Sequence, residues 1–540
     1  MKSKLIILLS ATILFFTWSC EDYLDVNHDP NALGEIPNAK ILLPAAQLGI
    51  ANNLMGWHFG FGGGFWVQYW TQSYTASQFK TLCEYQPQDF NTAYVSLMRE
   101  PMNDLKRIKT LTENDDNPGL YYIAEALSIF TWQIITDVWG NMPYSEALRG
   151  DEGLFHPKQD QQKDIYADLL KRVNDLLEID LIDASIDDYY PVDSHYDFIF
   201  KGHLDYWECF VRALKLKLLL RLSETPGFDS NAVYEYVYEE IWPNGEAYFW
   251  GPGTTNEYAL YYLVDYAGGA KISGSVWDDT MEGKRHPMRE FQAGGANYFT
   301  TNVRGCKSFT DYLSVNGDPR LATLFNGKMG AFFGDFDSKV DSEGGGTTDD
   351  KQDWCTVNAA AFKDLFLMSP WEIYFNMAEI AARAGDPANA KAYYNDAITV
   401  SLYQHGFVEP QKPTDVDNFD FIFNGYAKWQ GGTIEQCIEQ IAMQRWVANC
   451  NYQHIEAFLE RNRTKYPAVD EIDIKADRRS AWDNFPVGKL TISVNGKGTL
   501  NGNLPASPLY PDNYIMRNNK APSQKANIGE KVWWNQKSGK

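Results

Sequence analysis

The stretch from residue 370 to 402 constrains the fold most, because its pattern predicts two helices joined by one tight turn. Gly385 suits the left-handed position that ends a helix, Asp386 can cap the next helix, and Pro387 suits its first turn. Apolar residues recur at helical spacing on both sides of this turn, namely Ile373, Met377, Ile380 and Ala381 before it and Ala390, Tyr394, Ala397 and Ile398 after it. The stretch therefore predicts an antiparallel helical hairpin with small residues at the crossing.

The same helical spacing recurs along much of the chain. It is found in residues 36–53, 94–111, 120–139, 160–179, 204–223 and 433–449. Repeated hairpins with alanine at the crossing positions are typical of tetratricopeptide-type scaffolds. We therefore predict a mainly α fold, built as a single domain from residue 20 to residue 540.

Two kinds of irregular segment are expected to cover this scaffold. Residues from about 228 to 360 are rich in glycine and aromatic residues and lack helical spacing, so we expect a loop-rich, ligand-facing region. Within it, Asp335, Asp337 and Asp341 lie in a polar glycine-rich loop that lacks the glycine and distal glutamate of a calcium-binding loop, which favours a solvated loop over a metal site. Beyond residue 466 we expect ordered coil wrapped on the scaffold, partly because of the adjacent Trp533 and Trp534.

The N-terminal residues predict export. Lys2 and Lys4 precede an apolar run from Leu5 to Thr17, and Ser19 supplies a small residue directly before Cys20. The run is shorter than the roughly 20 residues that a membrane-spanning helix needs. Residues 1–19 are therefore predicted to be a lipoprotein signal peptide, with Cys20 carrying the lipid. The alternative is an ordinary secretory peptide with an incidental cysteine.

Charge and motifs exclude several classes of function. The formal net charge of −23 opposes binding to nucleic acid phosphates. The catalytic motifs of zinc proteases, α/β-hydrolases, P-loop enzymes and dinucleotide-binding enzymes are missing, so we predict no catalytic residue, cofactor or metal. The eight histidines are dispersed along the chain, which makes a metal site improbable. The six cysteines after Cys20 show no metal-binding spacing, and a chain of this size does not require a disulfide framework.

Aromatic residues are the candidate ligand contacts, since they make up 15% of the chain. A sugar offers an apolar face for stacking and hydroxyls for amides and carboxylates. One cluster follows a glycine-rich loop, and its residues 65–75 are predicted to form a helix; the other lies in the irregular region. The candidates are Trp57, Trp66, Tyr69, Trp70, Tyr74, Tyr248, Trp250, Tyr258 and Trp277. The alternative for each ring is burial in the core, and a meeting of the two clusters is a hypothesis.

Several motifs in order resemble one known family. They are Cys20 with residues 25–31 (DVNHDPN), residues 137–147 (DVWGNMPYSEA), residues 318–320 (DPR), residues 372–385, residues 444–467 and residues 509–511 (LYP). Together they resemble the SusD/RagB family of Bacteroidetes outer-membrane lipoproteins, in its large SusD-like branch. Glu21 and Asp22 resemble the acidic export tag of surface lipoproteins in that group.

This resemblance implies four tetratricopeptide-type hairpins and a non-enzymatic role. It implies capture of a glycan, or sometimes a peptide, and docking on a SusC-like TonB-dependent transporter. It also implies an outer-membrane location, facing the cell exterior and attached only through lipid. A surface glycoside hydrolase and a purely structural lid without ligand contacts are the alternatives from other classes.

Overall fold

Long helices form the scaffold of the protein. The computed structural model describes residues 38–73, 76–241, 269–293, 297–336, 354–407 and 421–540. Its longer helices are α1 (Leu43–Leu54), α2 (Asn91–Arg99), α3 (Pro101–Thr112), α4 (Gly119–Trp139), α5 (Gln162–Leu177), α6 (Leu204–Arg221), α7 (Ser230–Tyr236), α8 (Lys307–Val315), α9 (Pro370–Arg383), α10 (Pro387–Gln404), α11 (Ile434–Asn449) and α12 (His454–Thr464). The mainly α fold predicted from the sequence is confirmed.

Short helical turns connect and cover these helices. The α-helical ones are Gly63–Trp66, Lys80–Cys83, Pro287–Glu290, Tyr298–Thr301, Arg320–Leu324, Arg478–Asp483 and Asp512–Arg517. The 3-10 turns are Ala39–Leu42, Gly150–Glu152, Gly274–Val276 and Ala359–Ala361. The π-helical turns are Trp57–Gly62, Val237–Ile241 and Phe421–Tyr426, the last interrupted at Gly425.

The described strands are short and pair in twos. They are β1 (Trp70–Gln72), β2 (Ile182–Asp183), β3 (Asp188–Tyr189), β4 (Ala270–Ile272), β5 (Val303–Gly305), β6 (Phe325–Asn326), β7 (Thr356–Val357), β8 (Leu365–Met368), β9 (Val469–Asp470) and β10 (Leu490–Thr491). Strands β1 and β5, β2 and β3, β4 and β8, and β6 and β7 are antiparallel, whereas β9 and β10 are parallel. These ladders fasten coil to the helical scaffold.

Consecutive helices pack as hairpins. Helix α3 packs on α4, α5 on α6, α9 on α10 and α11 on α12. In the α9–α10 hairpin Gly385 has a φ of +83°, and the Asp386 carboxylate accepts hydrogen bonds from the amides of Ala388 and Asn389. The turn chemistry that the sequence predicted is therefore present, and small Ala390 and Ala397 are fully buried in the hairpin.

A buried network of charges joins several of these hairpins. Arg221 on α6 reaches Asp137 on α4 at 2.9 Å and both Glu456 and Glu460 on α12 at 2.6 Å. Arg463 on α12 lies 2.6 Å from Glu379 on α9. Within the described residues, five cations face six carboxylates here: Lys217, Arg221, Arg383, Arg445 and Arg463 against Asp137, Glu224, Glu372, Glu379, Glu456 and Glu460. Several residues of the motifs that resemble the known family, among them Asp137 and Glu379, thus form contacts in the interior.

The stretch 65–75 differs from the predicted helix. Helical structure runs instead from Trp57 to Trp66, and β1 follows at Trp70–Gln72, paired with β5. The chain turns at Gln68, whose φ is +59°. The buried Gln68 amide donates to the carbonyl of Thr491 at 2.5 Å and accepts from its N–H at 3.1 Å. Contacts with residues more than 400 positions away therefore override the local helical pattern.

The coil beyond residue 466 is ordered on the scaffold, as predicted. Trp534 is fully buried, and the guanidinium carbon of Arg221 lies 5.3 Å from its ring centroid. The Leu509 amide donates to the carbonyl of Gln88 at 2.8 Å. Residues Lys40–Lys540 form one compact unit, while Cys20 and the predicted signal peptide lie outside the described residues.

Removal of one network cation should destabilise the protein strongly. The substitution Arg463→Gln leaves Glu379 and Glu460 buried without that partner, so the free energy of unfolding should fall by about 3–5 kcal/mol. Arg479→Gln is the matched control, because Arg479 and Asp483 form an exposed pair whose loss should cost below about 1 kcal/mol. Urea denaturation measures both. Equal effects of the two substitutions would contradict the role given to the network.

Acid should weaken the same network. Burial alone would raise the pKa of Glu379, but the guanidinium groups of Arg463, Arg383 and Arg445 lower it to about 2. Since the folded pKa lies below the ordinary value of 4.5, this stabilisation is present above pH 4.5 and is lost as the pH falls toward 2. Urea unfolding at a series of pH values should show this loss, and Glu379→Gln should show a shallower dependence between pH 4.5 and 2.

The glycine-rich turn should not tolerate even one added methyl group. A Cβ at Gly63 would lie 2.6 Å from the backbone carbonyl carbon of His454, which opens α12. Gly63→Ala should therefore cost about 1–3 kcal/mol by overpacking. Gly498→Ala is the control, since a Cβ there meets nothing within 4 Å. Thermal or urea unfolding distinguishes the two, and a neutral Gly63→Ala would show that the turn can move away from α12.

Candidate ligand-binding surface

Three half-buried rings form the candidate surface. Trp57, the first residue of its π-helical turn, has its ring centroid 5.5 Å from that of Phe291 and 6.1 Å from that of Tyr298. The fully buried rings of Phe61 and Phe79 support Trp57 from the core at 5.2 and 5.3 Å. We call Trp57, Phe291 and Tyr298 the aromatic shelf. The shelf combines a fixed position with partly exposed ring surface, which stacking on a sugar requires.

Contacts between aromatic side chains bring the two halves of the shelf together. Phe61 lies in the same π-helical turn as Trp57, and its ring centroid is 5.0 Å from that of Phe291. The ring centroid of Phe79 is 5.9 Å from that of Tyr298. The antiparallel β1–β5 ladder joins the same two segments further along the chain.

A depression of about 480 Å³ begins directly after the last residue of the shelf turn. Phe291 of the shelf and Gln292 and Ala293 of the depression are consecutive in one turn. The depression is lined by Asp279, Arg285, Arg289, Gln292, Ala293, Ala359, Ala360 and Lys363. Its side chains include carboxylate, guanidinium, amide and ammonium groups, which can bind the hydroxyls of a sugar.

Ion pairs hold the arginines of the depression in place. Arg285 pairs with Glu290 at 2.9 Å and donates from Nε to the carbonyl of Asp279 at 2.8 Å. Arg289 pairs with Asp279. The Nε of Arg289 is buried and has no hydrogen-bond partner within the described structure. The Gln292 amide oxygen is already occupied, because it accepts from the Phe299 N–H at 3.0 Å.

The structure buries three of the rings that the sequence proposed as ligand contacts. Trp66 is 2% exposed, and its indole N–H donates to the carbonyl of Leu82. Tyr69 and Trp70 have no exposed surface, and the Tyr69 hydroxyl donates to the carbonyl of Trp446. Neighbouring rings cover all three in this conformation, so they offer no face to a ligand. They line the core beneath the aromatic shelf.

Trp277 is the other proposed ring that the structure describes. It is half-buried, packs edge-on against His286 at 5.6 Å, and leads into the loop that carries Asp279. Its indole N–H is buried and lacks a hydrogen-bond partner in the described part of the chain. Burial lowers the pKa of His286 to about 3, so this neighbour is uncharged at neutral pH. Tyr74, Tyr248, Trp250 and Tyr258 lie outside the described residues.

The sequence reasoning missed the residues that complete the surface. Phe291, Tyr298 and the arginines of the depression follow Trp277 in the same irregular region. The signal was the continued mixture of glycine and aromatic residues after Gly283. Contacts between rings far apart in the chain, such as that of Phe61 with Phe291, bring these residues to Trp57, and no local pattern indicates them.

Two further features of the described chain concern binding. A second cleft of about 320 Å³ lies beside the stacked rings of His203 and Tyr206 and is also lined by Tyr403. The described residues contain no cluster of histidine, cysteine or carboxylate side chains suited to a metal ion. Asp335 of the acidic loop pairs with Arg478 at 2.9 Å, while Asp337 and Asp341 lie outside the described residues.

The fold is shared with solved structures of SusD homologues. A SusD homologue from Bacteroides uniformis superposes with a TM-score of 0.67 at 18% identity, covering 92% of this chain and 99% of its own. A chitin-binding SusD homologue from Flavobacterium johnsoniae gives 0.65 at 17% identity, covering 92% and 99%. A further chitin-binding protein gives 0.65 at 19% identity, covering 92% and 100%. The sequence has no match among curated proteins.

None of the helices in the described ranges has both the length and the apolar character needed to cross a bilayer.

Family membership rests on the sequence match. Residues 30–484 match the profile of a SusD-like family described as starch-binding and associating with the outer membrane. This match covers most of the 540 residues, and the chain therefore belongs to the SusD-like family.

Proposed function

We propose that this protein captures an oligosaccharide on the aromatic shelf without making or breaking a covalent bond. The observation that carries the proposal is the joining of Trp57 to Phe291 and Tyr298 beside the polar depression. Rings held by the core can stack on sugar faces, and the Lys363 ammonium, which lines the depression, can bind hydroxyls. Trp277, at the start of the neighbouring loop, offers a further ring.

The character of the relatives supports this choice of ligand. The family description names starch, and two of the similar structures are of chitin-binding proteins. Starch and chitin are both polymers of pyranose rings, whose apolar faces suit stacking on tryptophan and tyrosine. The shelf offers this chemistry, although the relatives have low sequence identity to this chain.

We further propose the cellular setting that the sequence predicted. Lipid on Cys20 would hold the protein at the outer membrane, facing outward, beside a SusC-like TonB-dependent transporter. Tethering both proteins to one membrane raises their effective concentration, so a released oligosaccharide is passed on before it diffuses away. The protein itself contributes binding and no catalysis.

Loss of the Trp57 ring should weaken oligosaccharide binding. A glycan and peptide array, with chitin and starch oligomers included, identifies the ligand, and calorimetry then gives the affinity. Trp57→Ala should reduce affinity about fivefold, since stacking on one ring is worth about 1 kcal/mol. Trp57→Phe should retain part of the affinity for the oligosaccharide, because a smaller ring remains for stacking.

A matched control separates ligand contact from general damage. Trp429→Ala removes another half-buried tryptophan, which packs on Tyr394 away from the shelf, and should leave affinity unchanged. Unchanged affinity in Trp57→Ala would contradict the shelf as the binding site. Binding of peptides alone would assign a peptide ligand, and the appearance of cleaved sugars would favour a surface hydrolase.

A further inference from the structure

We propose a second binding site, for an acidic saccharide, in a cleft that the C-terminal part of the chain forms with α4 and α5. The cleft has a volume of about 290 Å³. One wall comprises the end of α4 and the start of α5, and the other is the coil from residue 510 to 533. The family match ends at residue 484 and therefore carries no information about the second wall. We call this site the lysine cleft.

The charged side chains that line the cleft are mainly basic, whereas the chain as a whole is negatively charged. Lys163, Lys525 and Lys531 line it together with one carboxylate, Glu530, whereas the chain carries a net charge of −23. The Lys525 ammonium donates to the Ser507 hydroxyl at 2.8 Å and to the Pro508 carbonyl at 2.9 Å. The Lys531 ammonium donates to the Lys537 carbonyl at 2.9 Å.

None of the three lysines forms an ion pair within the ranges that the structure describes. The hydrogen bonds of Lys525 and Lys531 go to uncharged oxygens. Three lysines that line one cleft of an acidic protein favour an anionic group.

A second, independent observation indicates a hydroxyl-bearing ligand. Gln162 lines the cleft and is fully buried at the start of α5. Its amide nitrogen donates to the Thr136 carbonyl at 2.5 Å, but its Oε1 has no hydrogen-bond partner among the residues that the structure describes. A buried acceptor without a donor is costly, so a hydroxyl delivered by a ligand would be stabilised here.

Aromatic surface completes the recognition of a sugar. Tyr510 and Trp533 line the cleft and are half-buried, and the Lys525 ammonium lies 4.8 Å from the Tyr510 ring centroid. An acidic saccharide would place its carboxylate or sulfate at the lysines, a hydroxyl at Gln162 and its ring face at Trp533. An inorganic anion can make only the contact with the lysines.

The pH dependence of binding follows from Lys525. Burial lowers the pKa of this ammonium to about 7, and the charged groups that share the cleft with it are Lys163, Lys531 and Glu530. Because the ammonium form predominates below this pKa, an anion should bind more tightly at pH 6 than at pH 8. Lys525→Gln should remove much of that difference.

Calorimetry with defined oligosaccharides tests the site on the full chain. Tetragalacturonate and a heparin-derived tetrasaccharide are the acidic probes, and cellotetraose is the neutral one. At least one acidic probe should bind with an affinity that falls as salt rises, and Lys163→Gln or Lys531→Gln should each weaken it about fivefold, as expected for loss of one partly exposed charge contact. Trp57→Ala should leave this affinity unchanged, which separates the lysine cleft from the aromatic shelf.

The matched control lies on the same helix. Lys171→Gln makes the same charge change at an exposed position of α5 whose partner is Asp175, outside the cleft. It should change the affinity less than twofold. No binding of either acidic probe at 10 mM, or equal effects of Lys163→Gln and Lys171→Gln, would overturn the proposal. Binding of inorganic sulfate as tight as that of the oligosaccharides would overturn its saccharide part.

Discussion

The buried charges between α4, α6, α9, α11 and α12 constrain the whole architecture. Arg221 alone binds carboxylates from two other helices, so the positions of α4 and α12 relative to α6 are fixed together. Arg463 extends the contact to Glu379 on α9. A buried charge is costly unless an opposite charge lies at a defined position beside it, so the network permits few alternative packings of the hairpins. Apolar stripes hold the helices together, and the charges select how they are arranged.

This arrangement explains the positions of the family motifs. Asp137 comes from the segment DVWGNMPYSEA, Glu372 and Glu379 from α9, and Glu456 and Glu460 from the helix that follows α11. Asp318 and Arg320 form a similar buried pair, with the Gln444 amide oxygen accepting from Arg320 at 2.9 Å. The motifs that identify the family therefore preserve the fold, and the rings of the aromatic shelf lie outside them.

Periodic features of the sequence predicted the structure well. The α9–α10 hairpin follows from Gly385, Asp386 and the apolar spacing, and α11 coincides with the helical spacing of residues 433–449 and begins at a capping box of Thr433 and Gln436. Features that depend on contacts between residues far apart in the chain could not be predicted from the sequence. Gln68 ends a helical turn because of Thr491, and Phe291 lies against Trp57 because both pack on the buried ring of Phe61. For the binding surface, residue type indicated the chemistry, and only the fold could separate buried rings such as Trp66 from half-buried ones such as Trp57.

The buried rings beneath the shelf also determine how it behaves before a ligand arrives. Between them, Phe61 and Phe79 pack against all three rings of the shelf, although Trp57 and Phe291 lie more than 200 positions apart in the chain. A surface fixed in this way loses little conformational entropy when a ligand binds, so weak individual contacts can add up to useful affinity. The same rigidity limits adaptation, and the shelf should therefore select ligands by the spacing between their successive rings rather than close around them.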